Sequence, residues 1–179
     1  MKTSIKDLRF LALLVSFVVT TVSFAQQQPQ LTDPEIASVA VVANQIDINY
    51  ADIALKKSSS KEVKEFATRM KKDHSTVIDQ AVALVQKLGV TPKDNAVSQS
   101  LMASAEKTKS VLNAKPAKEF DKAYIDNEVS YHKAVIATVR GTLIPQAKNA
   151  ELKNLLETVL PVLETHLGHA EMVQHNFSK

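Results

Sequence analysis

The sequence predicts an all-α protein, and three observations predict it. Four segments of more than 20 residues carry apolar side chains at steps of three and four, the spacing of one helix face. No segment alternates apolar and polar residues as a half-buried strand would. Only 3 glycines and no tryptophan in 179 residues leave little material for Gly-rich nucleotide loops or turn-dense β folds.

The elements follow in chain order. Met1–Arg9 is basic-leaning, and Phe10–Val19 is apolar but for Ser16. Ser23 and Ala25 supply the small residues of a cleavage site, so residues 1–25 read as a secretory signal peptide. The apolar run is far short of the roughly 20 residues that span a bilayer. Residues 26–33 form a polar, disordered lead-in, and residues 34–174 form one domain followed by a tail over 175–179. Asp33 and Pro34 are expected to cap and open helix one, which runs to about Lys57. Ser59 and Glu62 have capping-box spacing for helix two, which stops at Gly89. A less apolar helix covers about Asp94–Asn113. Pro116 opens a fourth that stops at Gly141, and Asn149 caps a fifth reaching about Gln174. Short links join the first two and the last two long helices, whereas residues 89–116 bridge the pairs. The arrangement is a ferritin-like four-helix bundle with an extra helix in the long crossover between the second and third bundle helices.

Charge and cysteine narrow the function classes. The chain carries 22 basic and 19 acidic residues; without the leader's Lys2, Lys6, Arg9 and Asp7 the balance is 19 to 18, or +1 over 154 residues. Such a domain has no field to attract nucleic acid or anionic lipid. With no cysteine, it has neither disulfide nor Cys-linked lipid anchor. The expected product is a soluble periplasmic protein without a membrane span after cleavage, its protein partners unspecified and a homo-oligomer left open. No Ser–His–Asp elbow is encoded, so no catalytic residue is assigned.

The stripes are broken by ionisable residues. Helix two reads Val63, Phe66, Met70, His74, Val77, Ala81, Leu84 and Leu88; helix five reads Leu152, Leu156, Val159, Leu163, His166, Ala170 and Val173. Helix four runs Phe120, Tyr124, Glu128, Tyr131 and Val135, with His132 one turn beyond Glu128. Helix one places Asp47 among Ile36, Ala40, Ala43, Tyr50 and Ala54, although a register through Ile46 and Ile53 fits equally well. Bundle cofactor sites are built from inward side chains on facing helices. Asp47, His74, Glu128, His132 and His166 are therefore candidate metal ligands. Imidazole with carboxylate and no thiolate suits zinc, manganese, copper(II) or iron. The paired Glu-x-x-His of di-iron bundles is missing, since Tyr131 stands three residues after Glu128. A buried hydrogen-bonded layer that fixes helix register is the competing reading. Convergence of the ligand atoms within about 4–5 Å separates it from a metal site. Asp73 lies about 100° round the helix from His74, at a seam or in solvent. Pro161 is expected to bend helix five ahead of His166.

Three ordered motifs add a resemblance. Phe66-Ala67-x-x-Met70-x-x-Asp73-His74 is the first. Phe120-Asp121-x-Ala123-Tyr124-Ile125 with His132 is the second, and Leu160-Pro161-x-Leu163-x-x-His166-x-x-x-Ala170 the third. Together they resemble a bacterial family of exported proteins catalogued as domain of unknown function 4142, over about residues 34–174. The resemblance implies a ferritin-like bundle and importance for Asp73, His74, His132 and His166. Members often carry Glu near the position of Asp47. No established chemistry comes with the family.

Overall fold

The computed structural model describes residues 30–177, and among these there are helices and no strands. The predicted leader lies outside the described residues, as do residues 26–29 of the lead-in. Four long helices form the bundle: α1 (Asp33–Lys57), α2 (Lys61–Leu88), α4 (Ala117–Thr138) and α5 (Ala150–Asn176). The crossover carries α3 (Ala96–Ala114). No helix among the described residues is long and apolar enough to cross a membrane.

The path of the chain is readable from its long-range hydrogen bonds. The crossover starts beside the first turn of α1, where Lys93 N–H reaches the Pro34 carbonyl and Asn95 Nδ2 reaches Glu35 O. It ends beside the last turn, where Lys57 Nζ donates to the carbonyls of Asn113 and Lys115. So α3 runs parallel to α1 along the outside of the bundle. Next, α4 begins under Lys57, whose ammonium lies 5.3 Å from the Phe120 ring, and runs back towards Asp33. The Asp33 carboxylate accepts from the N–H groups of Lys148 and Asn149 in the α4–α5 link. Finally α5 returns to α2, with Asn176 bonded to Glu62. This is the crossover topology expected from the long 89–116 connection.

The ends of the helices correct the sequence reading in several places. The N-cap of α1 is Thr32, not Asp33: Thr32 and Glu35 form the capping box, and Asp33 is occupied with the α4–α5 link. The cap of α2 is Ser60, whose hydroxyl accepts from Val63 N–H, one residue after the expected Ser59. Gly89 does end α2, with φ +63°, a conformation that strains a residue bearing Cβ. Gly141 does not end α4. The helix widens into a π turn over Val139–Leu143 and continues as Ile144–Gln146. Pro145 supplies the reason: it lacks an N–H, and in a regular helix its ring would collide with the carbonyl four residues back, that of Gly141. Asn149 caps α5 as expected, accepting from Glu151 and Leu152, and α5 runs through Pro161 to Asn176, two residues past the expected end.

Two apolar clusters fill the bundle, one at each end. Val63, Phe66, Met70, Phe120 and Tyr124 anchor the first, with Phe66 and Phe120 each 6.2 Å from the Tyr124 ring. Ile36, Leu143, Leu152, Leu156 and Leu163 anchor the second. Asp47, His74, Glu128, His132 and His166 are all buried in the layer between them. The ambiguous register of α1 resolves itself: both Ile46 and Asp47 are buried, because α1 is covered on three sides by α2, α3 and α4.

Candidate metal centre

Four helices bring five ionisable side chains to one level of the bundle. α1 supplies Asp47, α2 His74, α4 both Glu128 and His132, and α5 His166. The ring centroids of His74, His132 and His166 stand 5.2–5.8 Å apart. One nitrogen from each imidazole lies within 4.8 Å of one from each of the others, and Asp47, Glu128 and His132 form a second such group sharing His132. All five residues picked from the sequence are thus brought together.

Each imidazole is held from behind. His74 Nδ1 is 2.7 Å from Asn44 Oδ1, and Asn44 Nδ2 in turn donates to the Ala40 carbonyl, which leaves its Oδ1 to accept from the ring. His132 Nδ1 donates to the Glu128 carbonyl at 3.0 Å, one turn back along α4. His166 Nε2 donates to Asp73 Oδ2 at 2.9 Å, and Arg69 Nε donates to the same oxygen at 3.3 Å. With those nitrogens carrying the hydrogen, the lone pairs of His74 Nε2, His132 Nε2 and His166 Nδ1 are free. All three are buried without a hydrogen-bond partner, as are both oxygens of Asp47 and of Glu128. Asp47 Oδ2 lies 3.3 Å from His74 Nε2 and 3.5 Å from His132 Nε2. Glu128 Oε2 lies 3.6 Å from His132 Nδ1, on the other side of that ring.

Sequence reasoning missed Asn44. Its place three residues before Asp47 on the same face of α1 is a faint signal, and nothing in the sequence ties it to His74. Asp73 occupies the α2–α5 seam, one of the two places expected of it. His169, three residues beyond His166, is half-buried with its ring 5.1 Å from that of Phe66, and His175 is exposed.

Burial sets the charge state of the layer. It pushes the Asp47 carboxyl up to about 8. Glu128 is raised well above the usual carboxylate range by burial and then by the charge of Asp47. Burial takes His74 down to about 3, helped by His132 and His166. It takes His132 down to about 4 against the pull of its bond to the Glu128 carbonyl. His166 is lowered by burial, although Asp73 opposes the shift. Partial burial would raise Asp73, but the bonds from His166 and Arg69 hold it below its ordinary value. At neutral pH the layer therefore holds neutral imidazoles and protonated carboxyls.

Comparison with known proteins adds the family and the fold. The family described as Domain of unknown function (DUF4142) matches residues 20–173, so the chain belongs to it. No curated protein matches. A solved structure titled "CopM in the Cu(II)-bound form" superimposes with a TM-score of 0.62 at 17% sequence identity, covering 82% of this chain and 98% of that one. At that identity the likeness shows a shared all-α bundle.

Proposed function

We propose that this member of a family with no assigned function is an exported periplasmic metal-binding protein. Its ligands are His74 Nε2, His132 Nε2, His166 Nδ1 and an Asp47 oxygen. Copper(II) heads the candidate metals, ahead of zinc, iron and manganese. One observation carries the reading: the three imidazoles each bring a nitrogen within 4.8 Å of the others, Asp47 Oδ2 lies 3.3 and 3.5 Å from two of the rings, and one nitrogen of every ring is bound to an outer acceptor. That outer set of acceptors fixes tautomer and ring orientation, as around metal-bound histidines generally. A structural polar layer would pair all the inward atoms with one another; Asp47 Oδ2 stands in pairing range of His74 Nε2 and His132 Nε2, but His166 Nδ1 has no hydrogen-bond partner, and a buried group left so costs about 1–3 kcal/mol. The donor set is nitrogen-rich and has no thiolate, and for such sites affinity peaks at copper(II). The fold shared with a protein solved in a Cu(II)-bound form agrees with that preference.

The protein's part in binding is to hold, neutralise and exclude water. With a metal bound, Asp47 would release its proton to solvent and hold the cation as a carboxylate. Glu128, beside Asp47, keeps its proton and avoids a second buried negative charge. A role in metal or oxidative-stress handling suits a buried metal site of this kind.

Thermal melts of wild type, His74→Leu and His166→Leu with each of the four metals test the proposal. Wild type is expected to gain about 2.7 kcal/mol at a metal concentration a hundredfold above Kd, and each variant to lose that gain. No shift in wild type with any of the four overturns it, and a shift kept by both variants overturns this ligand set.

A further inference from the structure

The polar layer is closed off from solvent. Asp47, His74, Glu128, His132 and His166 each leave at most 3% of their surface exposed. A cation therefore reaches them only where the surrounding structure opens. One approach is an internal cavity that touches Asp47, His74 and His132, but every other residue lining it is uncharged. The other is the α2–α5 seam. There the Asp73 carboxylate bonds the outer nitrogen of His166 and also accepts from Arg69 Nε, while its own side chain is 30% exposed.

The backbone that carries His166 is the weakest stretch of α5. Pro161, five residues before it, has no N–H for the Glu157 carbonyl, so one rung of the helix is missing. Gly168, two residues after it, is exposed and is the only glycine of the chain inside a regular α-helix, since Gly89 ends α2 and Gly141 lies in the π turn. Neither packing nor conformation calls for glycine at that position. A Cβ there would meet nothing within 4 Å, and Gly168 does not have a positive φ. Proline and glycine are the two poorest helix formers, and here they bracket one ligand of the centre. The α2–α5 seam is also packed more sparsely than either hairpin. Few buried contacts must break for such a stretch to open.

We infer that the turn of α5 between Pro161 and Gly168 opens locally and carries His166 to solvent, with the Asp73–Arg69 pair as its latch, and that metal enters and leaves the centre by this route. The route rests on the metal-binding reading above; the opening does not.

Carbethoxylation of the metal-free protein by diethyl pyrocarbonate, mapped by peptide mass spectrometry, reads the opening without any metal. His166 should react more slowly than the exposed His175 but faster than His74 and His132, although these two are as deeply buried. Gly168→Ala should slow modification of His166 about fourfold, the factor set by the roughly 0.8 kcal/mol between glycine and alanine in a helix. Pro161→Ala should slow it further, and Arg69→Ala, which frees the latch, should speed it about two- to fivefold. Stopped-flow uptake and release of copper(II) should both slow in Gly168→Ala and Pro161→Ala, with Kd as in wild type. His166 modified no faster than His74 and His132, or at one rate in all four proteins, would overturn the opening. Modification slowed while copper(II) uptake is not would place entry elsewhere and overturn the route. No copper(II) binding by wild type would overturn the metal-binding reading and the route with it, while the modification rates would still decide the opening.

Discussion

Raising the pH of the metal-free protein from 4.5 to 8 should first stabilise it and then destabilise it. In the unfolded chain the histidines titrate near 6.5 and Asp47 near 3.9. In the folded chain His74 and His132 stay neutral down to about 3 and about 4, and Asp47 keeps its proton up to about 8. Below pH 6.5 the unfolded state thus holds two imidazole protons that the folded state lacks, and the folded state holds one carboxyl proton that the unfolded state lacks. The difference is one proton, so stability rises by about 1.4 kcal/mol per pH unit from 4.5 towards 6.5. His166, also lowered, steepens this limb, and Glu128, also raised, flattens it. Above 6.5 the histidines are neutral in both states and only the carboxyl protons differ. Stability then falls by about 1.4 kcal/mol per unit for Asp47, more steeply with Glu128, whose carboxyl is also raised, until Asp47 ionises in the folded protein. Urea denaturation at half-unit pH steps in EDTA measures the profile. A maximum near pH 6.5 is the expected result, with the acid limb reduced in His74→Leu. Stability that stays level between 6.5 and 8 would refute the reasoning, because Asp47 would then be ionised within the fold.

Three further outcomes follow from the same geometry. Asn44→Leu and Asp73→Leu should each weaken metal binding about 10–100-fold with helicity unchanged, since each removes an acceptor that orients a ring; metal titration that finds wild-type affinity in both would remove the outer acceptors from the account. Phe66 and Phe120 have no exposed surface, so truncating either to alanine should cost about 3–5 kcal/mol in urea denaturation, and a loss below 1 kcal/mol for both would mean the apolar ends of the bundle are not packed as described. The intact mass of the envelope form should correspond to a chain beginning at Gln26, whereas a mass including Met1 would contradict export by a cleaved leader.

The long helices were legible because their apolar spacing is an average over many residues. The missed boundaries turn on single contacts between distant segments. Asp33 looks like an N-cap until the α4–α5 link takes its carboxylate, and Gly141 looks like a stop until the π turn before Pro145 carries the helix past it. The same distinction holds at the metal centre. His74, His132 and His166 announce themselves as polar residues in apolar stripes. Asn44 does not, because an asparagine near the middle of a helix has no periodicity of its own. Its role becomes visible only when α2 places His74 opposite.

Asp47 and His74 belong to the first hairpin, His132 and His166 to the second, and only the crossover joins the two hairpins covalently. A chain in which both hairpins have formed without docking has four separate hydrated side chains and no centre at all. Occupancy of the centre would therefore be a measure of docking, and a metal held there would act as a clasp across the interface that brings together ligands 58 to 119 residues apart. Damage far from the ligands, in the Lys57 clamp or the Asp33 tether, would loosen that clasp without touching a single donor atom.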